Sequence, residues 1–370
     1  MGQPHLFNPL SIRGTTIRNR IWVSPMCQYS CEQHDGVPDD WHLVNLGKSA
    51  SGGAGLVFAE ATAVSPEGRI TSEDTGIWNN DQAEAWARIV RFIHSQGASA
   101  GMQLSHAGRK ASDYRLFDDR CGTTKPVAEG GWKAVAPSAV AYPGFDVPEA
   151  LDEAGIDKVV DDYREAARRS VGAGFDVVEI HAAHGYLIHE FLSPLSNLRT
   201  DRYGGSLENR ARLLLRIVRS VREAIGEQVP LFVRFSATDW IDDGWDEKQT
   251  AVVAGWAREA GADFFDISSG GLTNGIFISL EPGYQVPLAD FVRKEAGVAA
   301  NAVGLITTAE QAEEIVASGR ADAVMLARQI IRDPNFALRA AHELGADIEY
   351  WPRQYQGARW PAQPTNIRVS

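Results

Sequence analysis

The sequence predicts a single (β/α)8 barrel, and two observations carry that expectation. Eight apolar runs rich in β-branched residues recur along the 370 residues, and most are followed by an amphipathic, capped segment before the next run begins. The turn after the first run, Ser24-Pro25-Met26-Cys27-Gln28, lacks the glycines of a dinucleotide fingerprint, which argues against a doubly wound open sheet.

The runs cover residues 19–25, 54–61, 98–105, 176–181, 230–235, 263–268, 298–304 and 322–328. Most are almost continuously hydrophobic, as strands covered on both faces of a parallel sheet must be. Helix signals fill the gaps. Asp81-x-x-Glu84, Asp246-x-x-Gln249 and Thr308-x-x-Gln311 have capping-box spacing, while Ile156, Val159, Val160, Tyr163 and Ala167 form an apolar helical stripe. Gly172, Gly174, Gly226, Gly261 and Gly319 lie near the helix ends. Residues 1–346 then read as one barrel domain. A Gly-, Pro- and Asp-rich stretch at about 107–155 reads as a lid-like insertion, and residues 347–370 as a tail whose aromatics predict docking. No internal repeat is visible.

Composition narrows the function. At 44% hydrophobic and 23% charged the chain is of the globular class, and a net charge of −12 spread along it leaves no cationic face for nucleic acid or anionic lipid. No apolar run reaches the roughly 18 residues of a membrane span, and the opening Met1-Gly2-Gln3-Pro4-His5-Leu6 has neither basic nor apolar leader character, so a cytoplasmic setting is expected. The three cysteines, Cys27, Cys31 and Cys121, are too few for a disulfide framework or an iron–sulfur cluster.

In such a barrel the chemistry belongs at the carboxyl ends of the strands. Those ends offer Pro25, Met26 and Cys27, then Glu60 and Ala61, Gln103 and His106, His181 and His184, Arg234, Ser268, Gly304 and Arg328. The His181-x-x-His184 pair admits two readings. It could ligate a metal, which makes a metal-dependent hydrolase the enzyme alternative, or it could present two donors to a substrate oxygen with Tyr186 close by. A metal barrel of the amidohydrolase kind would also place His-x-His after the first strand, where Trp22-Val23-Ser24-Pro25 has none. Gly304 and Arg328, at the ends of the seventh and eighth runs, occupy the place where these barrels often hold phosphate.

The stretch from His181 through His184-Gly185-Tyr186-Leu187-Ile188-His189-Glu190-Phe191 to Tyr203-Gly204-Gly205 and Arg210 closely resembles the strand-four motif of the Old Yellow Enzyme family of FMN-dependent ene-reductases. The resemblance extends over nearly the whole chain, through Leu6–Leu10, Asn19-Arg20-Ile21, Ser24–Tyr29, Gln103–Lys110 and Arg332-Asp333-Pro334. Cys27 and Tyr29 point to its thermophilic-like (YqjM-like) branch, which xenobiotic reductase A also resembles.

That resemblance implies FMN lying over the strand ends. Ser24, Pro25, Met26, Cys27 and Ala61 would border the ring, with Gln103 at its pyrimidine edge and Arg234 by N1 and O2. Ser268, Gly304, Ala327 and Arg328 would hold the phosphate. NADPH, preferred over NADH, would reduce the flavin at N5, and an electron-poor alkene such as an enone, nitroalkene or quinone would then take the hydride in the same pocket. His181 and His184 would bind the substrate oxygen, Tyr186 would supply the proton, and Cys27, paired with Tyr29, would tune the flavin. Arg359 in the tail, or Arg353 in its place, would reach a neighbouring subunit's site, which implies a homodimer or a dimer-of-dimers tetramer. A flavin-binding sensor is a further reading, but it would need neither the histidine pair nor the tyrosine.

Overall fold

A computed structural model describes residues 3–360. Eight strands close into a parallel barrel: β1 Ile21–Val23, β2 Leu56–Ala63, β3 Ser99–Ser105, β4 Val177–Ala182, β5 Leu231–Ser236, β6 Phe264–Ser268, β7 Ala300–Ala302 and β8 Ala323–Leu326, with β8 pairing back onto β1. Each lies within one of the eight apolar runs or reaches one or two residues past its end. Eight helices surround them: α1 Asp40–Ser51, α2 Asn80–Ser95, α3 Glu153–Gly172, α4 Leu207–Ile225, α5 Glu247–Ala260, α6 Val286–Ala296, α7 Ala309–Ala317 and α8 Phe336–Glu343. The largest apolar cluster fills the space between the two rings, with the α3 stripe of Ile156, Val159, Val160, Tyr163 and Ala167 buried in it. Among the described residues no helix is long and apolar enough to cross a membrane.

Asp246 and Thr308 cap α5 and α7 as the spacing predicts, accepting from the Gln249 and Gln311 amides. Helix α2 departs from its predicted cap. Asn79, not Asp81, accepts the Gln82 amide at 3.0 Å, and the Gln82 side chain returns the bond to the Asn79 amide at 3.1 Å. Asp81 falls inside the first turn, where its charge faces the positive helix end instead. Gly172 lies within α3, and the left-handed residue beyond that helix is Gly174.

The inside of the barrel is layered. At its amino-terminal end Trp22, Leu56, Phe58, Val177, Phe232, Phe264 and Met325 form a separate apolar plug, with the Phe232 and Phe264 rings stacked at 4.7 Å and Trp22 5.1 Å from Phe264. The hairpin of Leu10–Ile12 and Thr15–Ile17 closes it from below. Because strand side chains alternate, the next inward residues on β4, β5 and β6 are Glu179, Arg234 and Asp266, and those after them are His181, Ser236 and Ser268. Each column therefore runs from apolar plug through a buried polar layer to the strand-end face.

One contact recurs around the base. Asp176, Asp263 and Asp322 immediately precede β4, β6 and β8. Each donates its amide to a carbonyl of the preceding strand, at Ala100, Leu231 and Ala300 respectively, and its carboxylate accepts that same residue's amide at 2.8 to 2.9 Å. Each carboxylate also grips a base from the helix that leads into that preceding strand: His94 of α2 at 2.7 Å, Arg222 of α4 at 2.6 Å and Arg293 of α6 at 2.8 Å. Before β2 the equivalent position is Gly55, where a Cβ would lie 2.6 Å from the Asn19 carbonyl; Asn19 Oδ1 itself accepts the Ile21 amide at 3.1 Å.

The excursion after β3 starts buried rather than as a free lid. Ala107, Arg109, Ala111 and Ser112 are buried, and Arg109 donates to the Leu272 carbonyl at 2.8 Å across the face. Its far end pairs Val135–Ala136 with Glu149–Ala150, and Arg199 is anchored there on the Pro137 carbonyl. Only the outer arc stands in solvent, Leu116 and Phe117 included.

The clasps should differ in strength with their burial. Asp263→Ala strands the Leu231 amide and the largely buried Arg222, and should cost about 2–4 kcal/mol in urea denaturation. Asp176→Ala, whose partner His94 is 40% exposed, should cost clearly less.

Candidate active site

The site is built from the carboxyl ends of the strands. Arg234, almost fully buried, lies with Nε 2.8 Å from Asp266 Oδ2 and reaches Ser24 Oγ at 3.3 Å; Asn301 steadies Asp266 at 2.7 Å. Gln103 Nε2 donates to Glu179 Oε1 at 2.7 Å, which leaves the amide oxygen to accept from a group above it. Burial, and Asp266 beside it, lift Glu179 to about 8 against the pull of Arg234. The Gln103–Glu179 bond is thus made to a carboxyl whose surroundings favour the protonated form.

His181, His184 and Tyr186 come together above this layer. The His181 ring centroid is 5.1 Å from that of His184 and 5.2 Å from that of Tyr186, both edge-to-face. Burial, then the Arg234 charge, hold both imidazoles well below the usual histidine range, so both are neutral. His181 Nδ1 accepts the Ala183 amide at 3.3 Å, which puts its proton on Nε2. His184 Nε2 shares a 2.8 Å bond with Ser268 Oγ. Tyr186 is raised well above an ordinary phenol, first by burial, and so retains its proton.

Cys27 lies against the Ala61 amide and the Tyr29 hydroxyl, and burial pushes its thiol up; it stays a thiol. Ala61 sits just past an irregularity in β2, where the register with β3 shifts between Phe58 and Ala61. The shift places Glu60 beneath the 26–29 loop, where it accepts the Gln28 amide at 3.0 Å. Cys27, Tyr29 and Tyr186 pack with Ile70, Ala107, Ala111 and Trp132 into a small apolar wall.

At the ends of β7 and β8 a cleft of about 200 Å³ is lined by Tyr284, Gly304, Ala327, Arg328 and Arg332, among others. Gly304 has φ +112°, and a Cβ there would meet Gln285 Nε2 at 2.6 Å. Ala327 has φ −107°, within reach of an L-residue. Arg328 is exposed, with no ion pair among the described residues. A glycine-floored cleft with free cations, beside a deep amide and guanidinium, fits a phosphate joined to a flat heterocycle. The residues present therefore fit FMN. Of the four residues expected at the phosphate, Gly304, Ala327 and Arg328 share the cleft, whereas Ser268 is bonded to His184 and, at 3.4 Å, to Gln285.

Lys110 is a site residue to which the sequence analysis gave no role. Its ammonium donates to the His184 and Gly271 carbonyls at 2.8 and 3.2 Å and lies 4.7 Å over the Tyr186 ring; burial lowers it to about 8. Its signal was its place in the Gln103–Lys110 motif. Arg359 packs against its own chain, 3.4 Å from the Ile348 carbonyl, beside Trp360, which stacks on His342. Arg353 is exposed, and residues 361–370 of the expected tail lie outside the described residues. Among the described residues no three His, Cys, Asp or Glu side chains converge as a metal site, so the hydrolase alternative lacks a ligand set.

The family model described as "NADH:flavin oxidoreductase / NADH oxidase family" matches residues 5–347. An NADPH dehydrogenase of Geobacillus thermodenitrificans is 45% identical over 352 residues, covering 95% of this chain and 97% of that one. Among solved structures, an old yellow enzyme homologue from Zymomonas mobilis superposes with a TM-score of 0.75 at 31% identity, over 96% of this chain and 98% of that one. A 2-naphthoyl-CoA reductase gives a TM-score of 0.84 at 26% identity; 92% of this chain is covered, but it spans only 52% of that longer protein.

Glu60 supplies a pH test of this geometry. Burial lifts its carboxyl to about 8, with the Gln28 amide pulling the other way. The folded state then holds a proton that the unfolded chain releases near pH ~4.3, so stability falls as pH rises from there to about 8, by up to about 1.4 kcal/mol per unit. Glu60→Gln keeps the neutral shape and should flatten that slope in denaturation between pH 5 and 8; an unchanged slope would show Glu60 ionised.

Proposed function

The chain belongs to the NADH:flavin oxidoreductase / NADH oxidase family, as an Old Yellow Enzyme-type member, and from that premise we propose that this FMN-dependent NAD(P)H oxidoreductase reduces activated C=C bonds. NADPH is the reductant, in keeping with the NADPH dehydrogenases it resembles. The substrates are small electrophilic alkenes: enones, nitroalkenes and quinone-type compounds. The observation that carries the reading is the neutral triad of His181, His184 and Tyr186 at the end of β4, two hydrogen-bonding imidazoles beside a protonated phenol.

Gln103, Arg234 and the backbone of Ser24, Pro25, Met26 and Ala61 would hold the FMN ring, and Gly304, Ala327 and Arg328 its phosphate, with Ser268 nearby. When bound, FMN supplies the hydride chemistry between NADPH and the alkene. Arg234, fixed by Asp266, favours negative charge at its end of the pocket. His181 donates from Nε2 to the substrate oxygen, where charge grows as the alkene is reduced, and His184 is the second donor. Neutral imidazoles suit this role because they donate without surrendering a proton. Tyr186 protonates the α-carbon. Cys27 remains a thiol and would border the ring, tuning the flavin rather than acting as a nucleophile. The apolar wall of Ile70, Ala107, Ala111 and Trp132 excludes water and favours an apolar substrate body.

The tail is read here as a contribution between subunits of a cytoplasmic homodimer or dimer-of-dimers tetramer, with Arg359, or else Arg353, reaching the adjacent pocket. A truncation after Tyr350 should keep the barrel and most of the FMN while weakening substrate affinity; an active monomer in sedimentation, or unaltered kinetics, would overturn it.

The central test separates the half-reactions. The purified protein should show a flavin spectrum, bleach anaerobically with NADPH and recolour with an enone. Tyr186→Phe should bleach normally yet recolour about 10²–10⁴-fold more slowly in stopped flow. Equal recolouring would move the proton source to water or another side chain.

A further inference from the structure

The loop after β4 makes its sharpest turn at residues 183–186. The Tyr186 amide donates to the Ala183 carbonyl at 3.2 Å, and the two central residues, His184 and Gly185, have φ of 58° and 71°. Two successive left-handed residues make a type I′ turn, which glycine enters freely and a histidine only at a cost. Something must hold His184 there. Its own amide donates to Ser236 Oγ at 2.9 Å, and the Gly185 amide donates to His189 Nδ1 at 2.9 Å.

The second of these bonds fixes a proton. A main-chain amide can only donate, so His189 Nδ1 must be bare and the ring proton must sit on Nε2. That nitrogen lies 3.0 Å from Asp239 Oδ1, and both side chains are completely buried. Burial would raise Asp239, but His189 and its other donors hold it below its usual value: Asp239 Oδ2 accepts from the Ser193 hydroxyl at 2.7 Å and the Trp245 amide at 2.9 Å. A carboxylate so surrounded only accepts, and therefore selects the Nε2–H form of the ring.

We propose that Asp239 and His189 are positioning residues: Asp239 fixes the tautomer of His189, and His189 Nδ1 in turn holds the left-handed turn that aims His184 and Tyr186 at the substrate. Neither residue reaches the pocket. With the opposite tautomer, two N–H groups would face each other across 2.9 Å, and the strained turn would lose its anchor. The proposal deepens the ene-reductase reading and rests on it only for the choice of assay.

The two ends of the imidazole can be removed separately. In His189→Asn the amide oxygen can stand near Nδ1 and accept from Gly185, while the Asp239 contact is lost. In His189→Gln the longer amide can stand near Nε2 and satisfy Asp239, while the Gly185 amide is abandoned. Asp239→Asn presents a donor to His189 and favours the wrong tautomer. Affinity for 4-hydroxybenzaldehyde, titrated into the holoprotein by flavin absorbance, should stay within about threefold of native in His189→Asn and fall about tenfold or more in His189→Gln and Asp239→Asn. Melting temperatures, taken alongside, should not follow that order. Equal affinity in the two His189 variants, or losses that track melting temperature, would overturn the proposal.

Histidine ¹⁵N spectra of the unaltered protein supply an independent reading. The resonance that disappears in His189→Asn should show a bare Nδ1 and a protonated Nε2, and the reverse pattern or a charged ring would also overturn the proposal. A protein without flavin absorbance would defeat the ene-reductase reading and leave this spectrum to decide the inference alone.

Discussion

Closing a parallel barrel requires each strand to be fixed against its neighbour at the start, before the ladder takes over, and here a carboxylate does this in three of the four quarters. Asp176, Asp263 and Asp322 each join an amide of the preceding strand to a base on the helix that leads into that strand, so a single side chain locks strand, strand and helix in register. In the remaining quarter the chain comes too close for any side chain at Gly55, and Asn19 turns inward to satisfy the backbone instead. Stability is thus concentrated at the base, and the other rim is free to carry unfavourable arrangements such as the left-handed His184.

Between base and rim, the alternating strand pattern converts one kind of interior into another. The plug around Phe232 and Phe264 excludes water, and the layer above it must therefore satisfy its own polar groups. It does so through Arg234 with Asp266 and Asn301, and through Glu179 with Gln103. Arg234 is the cation of this layer, and its field acts with burial to keep His181 and His184 neutral. The donors of the site owe their protonation state first to burial and then to the charge in the layer beneath them.

What the sequence disclosed and what it concealed divide by distance along the chain. Near-continuous apolar runs and the caps at Asp246 and Thr308 are local patterns, and all eight strands and both caps stand where they were read. The α2 cap was misplaced because two adjacent pairs share the required spacing, and only the packing of Gln82 against the Asp35 carbonyl at 2.7 Å chooses Asn79. Site residue types were legible because strand ends can be counted from the runs. His189 with Asp239 was not, because fifty residues separate them and neither belongs to a periodic face. The clasps left only a faint trace, a glycine two or three residues before each aspartate, in Gly174-Phe-Asp176, Gly261-Ala-Asp263 and Gly319-Arg-Ala-Asp322.

The excursion after β3 has both of its feet buried or bonded and only its outer arc in solvent. A segment held that way is a cassette: the stretch around Leu116 and Phe117 can change length and composition without moving Lys110 beneath it or the start of α3 beyond it. Divergence among related barrels can therefore accumulate in that arc at little cost to the scaffold, and directed evolution of new preferences has in it a module already separated from the groups that do the chemistry.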